Sequence, residues 1–390
     1  MLPAEISNPY PEQQRERDRW ILAKRAARNP LDPFKPQAFL METELAESGQ
    51  VVPVATIFLT NRECPWRCLM CDLWKNTLAE TVPIGAIPSQ IDYALRELRS
   101  TLPAPRQIKL YNSGSFFDKR AIPQEDYVTI AERVRAFERV VVECHPALLG
   151  ELTLEFRDVL KATDQGEAED SVQRLIPGPS QKGISAVLAD WVPYSEVGRD
   201  RFANPISHPS AMSLSERGCS GTRLEVAMGL ETAHPQVLEK LNKRMTLDQF
   251  RRAAEFLREN DITLRVFVLV KPPFLDEAEA LDWAKRSIDF AFDCGGRVVS
   301  LIPTRFGNGA LEALAERGEF SPPKLATLEA ALDYGIGLKR GRVFADLWDV
   351  EQFSDCNECF EPRRARLHEI NLRQSAQPPV ICDRRRERTG

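Results

Sequence analysis

Three cysteines fall within eight residues of one another in "NRECPWRCLMCDLW": Cys64, Cys68 and Cys71, spaced C-x3-C-x2-C. Thiolates are soft ligands that select zinc, copper(I) or iron–sulfur clusters. Structural zinc closes with four protein ligands and commonly uses paired C-x2-C knuckles. This loop offers three thiols and no histidine. Three thiolates on one loop suit a four-iron cluster with one iron left open, and an open iron can bind a substrate or cofactor. A zinc site completed by a distant fourth ligand is the competing reading.

A second group of sulfurs lies near the C-terminus. Cys356 and Cys359 form one C-x2-C knuckle, Cys382 follows, and His368 stands between as a candidate fourth ligand. Structural zinc, a second iron–sulfur cluster and unligated thiols all fit this spacing. Arg363, Arg364, Arg366 and the run Arg384–Arg388 suit either phosphate contact or plain solvation. Cys144, Cys219 and Cys294 are isolated and read as structural. Elsewhere, "LEVAMGLET" carries Glu225 and Glu231, two carboxylates suited to ribose hydroxyls, to a cationic substrate, or to pairing with Lys243 or Arg244. Lys271 opens the stiff "KPPF" stretch and suits a carboxylate, or water. His145, in "VVECHP", is a weak candidate, since a lone histidine is more often structural.

These residues need elements to position them. Short apolar runs without period-two polarity mark strands at Val54–Thr60, Gln107–Tyr111, Val140–Cys144, Arg223–Met228, Leu264–Val270 and Val298–Ile302. Such runs suit parallel strands covered on both faces. Helical patterns lie between them: Ile91, Leu95 and Leu98 share a face, as do Tyr127, Ile130 and Val134. Thr246 and Gln249 have the spacing of a capping box ahead of another helix. Six βα units in series predict a parallel barrel or a doubly wound sheet. Residues 1–50 read as a helical or irregular N-terminal extension, 51–310 as the core and 311–390 as a cysteine-containing C-terminal extension. Within the core, residues from about 162 to 222 are rich in Pro, Gly, Ser and charge and read as a loop-rich insertion. The chain has 390 residues, 43% of them hydrophobic and 28% charged, enough for a substantial core. A net charge of -5 gives no general attraction to nucleic acid, though it leaves room for a local basic patch. No membrane span and no secretory leader stand out, so the expected location is the cytoplasm, where nine cysteines are poor disulfide candidates.

A C-x3-C-x2-C loop after the first strand of a βα series resembles the radical S-adenosylmethionine superfamily. The combination of "CLMCD", "YNSGSFFD", "VAMGLET" and "LVKPPF" is similar to its Elongator-catalytic-subunit and MiaB-type branch, and within that to the radical subunit of archaeosine synthase. The resemblance covers residues 51–309 without the insertion. It implies an α/β fold, a partial (β/α)6 TIM-like barrel with its site at the C-terminal strand ends. It implies that Cys64, Cys68 and Cys71 hold a [4Fe-4S] cluster whose fourth iron chelates S-adenosyl-L-methionine. Reductive cleavage would give methionine and a 5′-deoxyadenosyl radical that abstracts hydrogen from a substrate, a modified nucleoside or tRNA. An electron donor such as flavodoxin or ferredoxin is implied as a partner. Ser113, Gly114 and Ser115 occupy the position of the superfamily's Gly-Gly-Glu-like turn, without its acid, and Glu143 sits where a polar residue contacts the cofactor. Met70 stands where many members carry an aromatic residue. The missing acid keeps a second reading open: an RNA-binding or scaffold protein that holds a cluster without turnover.

Overall fold

In the computed structural model, which describes residues 9–101, 103–162 and 221–381, all six expected strands are present. The fold is one eight-stranded sheet in sequential order: β1 (Ala38–Leu45), β2 (Val51–Leu59), β3 (Gln107–Asn112), β4 (Arg139–Glu143), β5 (Arg223–Glu231), β6 (Thr263–Val270), β7 (Val298–Pro303) and β8 (Arg342–Ala345). From β2 to β8 every neighbour is parallel, and β1 is antiparallel to β2. The sheet curls into an open half-barrel. Two of its strands, β1 and β8, were not among the sequence expectations. Glu42, Thr43 and Glu44 break the apolar run in β1, and β8 is only four residues long.

Helices follow the strands and cover the outer face. They are α1 (Gln14–Ala23), α2 (Ala86–Leu98), α3 (Asp126–Val134), α4 (Glu151–Lys161), α5 (Pro235–Lys240), α6 (Leu247–Glu259), α7 (Glu277–Asp293), α8 (Ala310–Ala315), α9 (Leu325–Gly337) and α10 (Phe360–Arg373). The capping box at α6 is formed: Thr246 Oγ1 accepts from Gln249 N–H at 3.1 Å, and Gln249 Oε1 accepts from Thr246 N–H at 2.8 Å. The core between sheet and helices is aliphatic and aromatic, with Ile91, Tyr127, Ile130, Phe156, Phe250 and Leu257 all fully buried. Nearly all of the expected insertion, Cys219 included, lies outside the described residues, as do Cys382 and the run Arg384–Arg388.

Alternation along parallel strands turns one set of side chains into the barrel. Its floor is charged. Glu44 of β1 accepts from Lys109 Nζ at 2.6 Å and from Arg265 Nη2 at 2.6 Å. Glu225 of β5 accepts from Arg265 Nε at 2.6 Å and Arg139 Nη1 at 2.9 Å. Arg342 of β8 donates to the Leu45 carbonyl at 2.8 Å, so it reaches across the opening to β1. Above the floor, Tyr111 meets Phe58 and Phe267 edge-on, each with ring centroids 6.1 Å apart. Burial alone would raise the Glu44 carboxyl, but Arg265 and Lys109 beside it hold it far below the usual carboxylate range.

The free edge of β8 is covered by α10. Asn371 Nδ2 donates to the Ala345 carbonyl at 2.8 Å and its Oδ1 accepts from Ala345 N–H at 2.9 Å. Gln374 does the same for Val343, at 2.8 and 2.6 Å. Two side-chain amides thus stand in for a neighbouring strand and block edge-to-edge pairing.

Replacing Glu44→Gln leaves Lys109 and Arg265 short of a buried anion and is expected to cost about 3 kcal/mol at neutral pH. A carboxyl with a depressed folded pKa stabilises fully above its unfolded value and loses that contribution as pH falls. The gap between wild type and variant in denaturant melts should therefore be constant above about pH 5 and shrink below about pH 4. A gap that does not narrow with acid would show that Glu44 is not the titrating partner.

Candidate active site

The cysteine loop leaves the C-terminal end of β2 and runs to a single 3-10 turn, Leu73–Asn76. Cys64, Cys68 and Cys71 are half-buried and reduced. Their thiols are near enough to one another that each opposes ionisation of the next, and burial pushes Cys68 up to about 12. Buried Lys243 works the other way, lowering the Cys68 value by its positive charge. Among the described residues no set of three or more His, Cys, Asp or Glu side chains is arranged as a preformed metal site.

The loop is held on three sides. Gly114, at φ +150°, lies against Cys64, and a β-carbon there would come 2.7 Å from Cys64 Cβ. The Trp66 ring stacks on His145 at the end of β4, 3.8 Å between centroids and 17° from parallel. His145 Nε2–H donates to the Lys243 carbonyl at 3.1 Å, and Nδ1 accepts from Ala147 N–H at 3.2 Å. Burial, with Lys243 adding to it, drops this histidine to about 3, so the ring is neutral when it stacks. On the third side Asn308 Nδ2 donates to the carbonyls of Leu69, at 2.7 Å, and Cys71, at 3.4 Å, while its Oδ1 caps the first turn of α8. The N-terminal extension closes over the same loop: Trp20 and Ile21 of α1 pack with Leu69, and Asp18 accepts from Asn242, which also donates to the Arg67 carbonyl at 2.8 Å.

The expected cofactor residues divide into two groups. Ser113, Gly114, Ser115, Glu143 and Glu231 gather at the C-terminal strand ends beside the loop. Ser115 Oγ accepts from His145 N–H at 2.7 Å, which commits that oxygen to the turn. Glu143 Oε2 accepts from Asn112 N–H at 3.1 Å, and burial raises its pKa to about 8. Glu231, in a left-handed conformation after a bulge in β5, pairs with Lys243 Nζ at 2.5 Å. Gly229 leaves the space that this pair fills.

Glu225 and Lys271 are not brought there. Glu225 is the third residue of β5, at the opposite end of the barrel, with both oxygens held by arginine in the floor. Lys271 follows β6 in a left-handed conformation that turns its amine to Ser321 Oγ at 2.7 Å and Glu277 at 3.1 Å. Met70 packs with Leu241, Leu269 and Leu275. In the tail, Cys356 and Cys359 lie just before α10. His368 is nine residues further along that helix, on the order of 13 Å by helical rise, too far to share a metal with Cys359. Arg363 and Arg366 are buried and spent on Glu329 (2.6 Å) and Asp333 (2.8 Å), which dock α10 on α9.

Sequence reasoning passed over Asn112. Its side-chain amide is buried at the mouth, and neither Nδ2 nor Oδ1 has a hydrogen-bond partner. Thr60 Oγ1 and Asn61 Oδ1, at the root of the cysteine loop, are likewise unpaired. Orphaned buried polar atoms cost free energy unless a ligand satisfies them. The signal was present in "YNSG", an asparagine closing a strand before a glycine turn, but only tertiary burial gives it weight. Three mutually close thiols, a nearby buried cation, a Gly114 cradle and unpaired amides together fit an anionic thiolate-held cluster and a polar cofactor.

An eight-stranded α/β half-barrel with three loop cysteines after its first parallel strand is the architecture that the motifs' resemblance to the radical S-adenosylmethionine superfamily implies. No family model matches the chain. The chain is similar to archaeosine synthase subunit beta. It is 23% identical over 302 residues to that of Methanosarcina acetivorans, covering 76% of this chain and 70% of the other. To that of Thermococcus kodakarensis it is 30% identical over 164 residues, 42% of this chain and 48% of the other. These relatives bear out the resemblance drawn from the motifs. A solved structure of Elp3 from Methanocaldococcus infernus aligns at a TM-score of 0.42 and 12% identity, over 73% of this chain and 59% of that one. The chain thus spans less than two thirds of that solved protein, and the fold stands on the strand order itself. No helix among the described residues is long and apolar enough to cross a membrane.

Gly114→Ala is expected to displace the Cys64 backbone, because the clash falls on a β-carbon at the root of the side chain rather than on a flexible tip. Anaerobically reconstituted variant should lose most of its iron and sulfide while far-UV circular dichroism is retained. Full iron loading in Gly114→Ala would mean that the close approach does not shape the loop.

Proposed function

We propose that this chain is a radical S-adenosylmethionine enzyme acting on a modified nucleoside or an RNA-linked group. The observation that carries this is the pinned three-thiol loop set against a mouth of unpaired polar side chains. Cys64, Cys68 and Cys71 would hold a four-iron cluster. When bound, that cluster supplies the electron, received from an external donor of the flavodoxin or ferredoxin type, that cleaves the cofactor's sulfonium bond.

The chain's own residues do the rest. Lys243 lowers the cost of placing thiolates in a poorly solvated loop. Glu143, protonated for much of its population near neutral pH, becomes a carboxylate when a cofactor ammonium approaches, since an opposite charge favours the ionised form. The Asn112 amide and the backbone of Ser113 to Ser115 offer donors and acceptors to the cofactor's polar end, in place of the absent acid. Phe58, Tyr111 and Phe267 form an apolar layer below the mouth, which would limit the polar groups and water in reach of a reactive radical. An RNA-linked substrate is supported by the relatives named archaeosine synthase subunit beta.

Reconstituted, dithionite-reduced protein is expected to release 5′-deoxyadenosine and methionine from S-adenosylmethionine slowly without substrate. Cys68→Ser should release none and lose the broad visible absorbance while staying folded. A wild-type protein that carries a full cluster yet releases no 5′-deoxyadenosine would favour the scaffold reading over an enzyme.

A further inference from the structure

A cavity of about 340 Å³ opens on the flank of the cysteine loop, apart from the barrel mouth, and its lining is dominated by arginine. Arg62 and Arg67 come from the loop, Arg28 from the segment after α1, and Arg120 from the turn after β3, with Glu63, Cys64, Pro65 and Ala79 completing the wall. Three separate parts of the chain therefore converge to place guanidinium groups around one concave space.

The charges do not cancel. Glu63 is caged by Arg25 at 2.6 Å, Arg67 at 3.1 Å and Arg28. Arg120 is 61% exposed and stands 3.6 Å from Asp118. Arg62 is half-buried, with no acidic partner among the described residues. Counting the lining groups and their direct partners, five guanidiniums stand against two carboxylates, and a Cys64 thiolate would offset one more, which leaves at least two positive charges uncompensated. Two or more charges exceed what one carboxylate neutralises. They match a phosphate dianion or a pair of adjacent phosphodiesters, and the planar fork of arginine binds phosphate oxygens two at a time. A concave space also suits an inserted phosphate better than the flat face of a protein partner.

We infer that this cavity is a phosphate-binding site that anchors an RNA strand beside the cysteine loop. The RNA source rests on the proposed RNA-linked substrate, whereas the affinity for phosphate rests on the cavity alone. The net charge of the chain is -5, so attraction to a polyanion must come from such a local patch rather than from the molecule as a whole.

The test uses the full chain and the variant Arg62→Ser/Arg120→Ser, which leaves the Glu63 cage intact. Binding of a labelled, unmodified tRNA transcript is followed by fluorescence anisotropy across a salt series, with inorganic pyrophosphate and adenosine 5′-monophosphate as competitors. Thermal melts confirm equal folding, and Arg62→Lys separates fork geometry from charge. The expected result is transcript affinity at least about tenfold weaker in the double variant, with Arg62→Lys between the two. The logarithmic salt slope should be shallower by about 2, roughly 1 per lost phosphate contact. Unchanged affinity and slope in the folded double variant would overturn the site. Loss of pyrophosphate or mononucleotide binding with transcript binding intact would overturn the RNA source. Slower reduction by an acidic flavodoxin with transcript binding intact would reassign the cavity to a protein donor and overturn the proposal. Cofactor cleavage is measured in both proteins. If wild type binds RNA but cleaves no cofactor, the enzymatic reading fails and the site stands; if cleavage persists while RNA binding ignores the substitutions, only the site fails.

Discussion

Everything in this molecule depends on an open barrel being closed at its floor by charge. A parallel sheet that curls without sealing leaves two edges and a lumen accessible from the side. Here β1 folds back antiparallel and delivers Glu44 beneath the strands, where it meets Lys109 of β3 and Arg265 of β6. Arg342 ties β8 to the Leu45 carbonyl across the gap. Lys109 and Arg265 each have a carboxylate within hydrogen-bonding reach, and Arg342 stands 3.8 Å from Glu44, so burial is tolerated, although removing any one partner would strand another.

The mouth follows the opposite rule. Its polar groups are only partly satisfied: Asn112, Thr60 and Asn61 carry unpaired buried atoms, Glu143 is driven toward its neutral form, and Lys243 holds a single carboxylate partner. A floor whose carboxylates are each held by two cations and a mouth with several orphaned groups divide one lumen into a structural end and a binding end. The aromatic layer of Phe58, Tyr111 and Phe267 separates them, and burial pushes the Tyr111 hydroxyl up to about 12.

The cysteine loop has no regular structure of its own beyond one 3-10 turn, so its shape is borrowed. Gly114 permits close approach from β3, the His145–Trp66 stack fixes it to β4, Asn308 fixes it to α8, and α1 roofs it. A thiol set held this way can lose a ligand without losing the barrel, because none of these contacts belongs to the main core. The terminal segments have the same supporting character: α1 covers the loop, and α10 caps the β8 edge through Asn371 and Gln374.

The sequence by itself determined the six parallel strands, since doubly covered strands must be apolar throughout, and it determined the cysteine spacing, since three thiols on one turn are a local property. It also marked the glycine turn at Gly114 and the cap at Thr246. It could not separate Glu225 from Glu231. Both lie on β5 and read alike, yet six residues along one strand carry a side chain from floor to mouth, on the order of 20 Å by strand rise. Nor could it show that Lys271 is buried against Ser321 and Glu277, that β1 and β8 complete the sheet, or that Arg363 and Arg366 are consumed in docking a helix. Charge signals a partner without naming it; only tertiary structure decided which carboxylates are buried against arginine and which are left for a ligand.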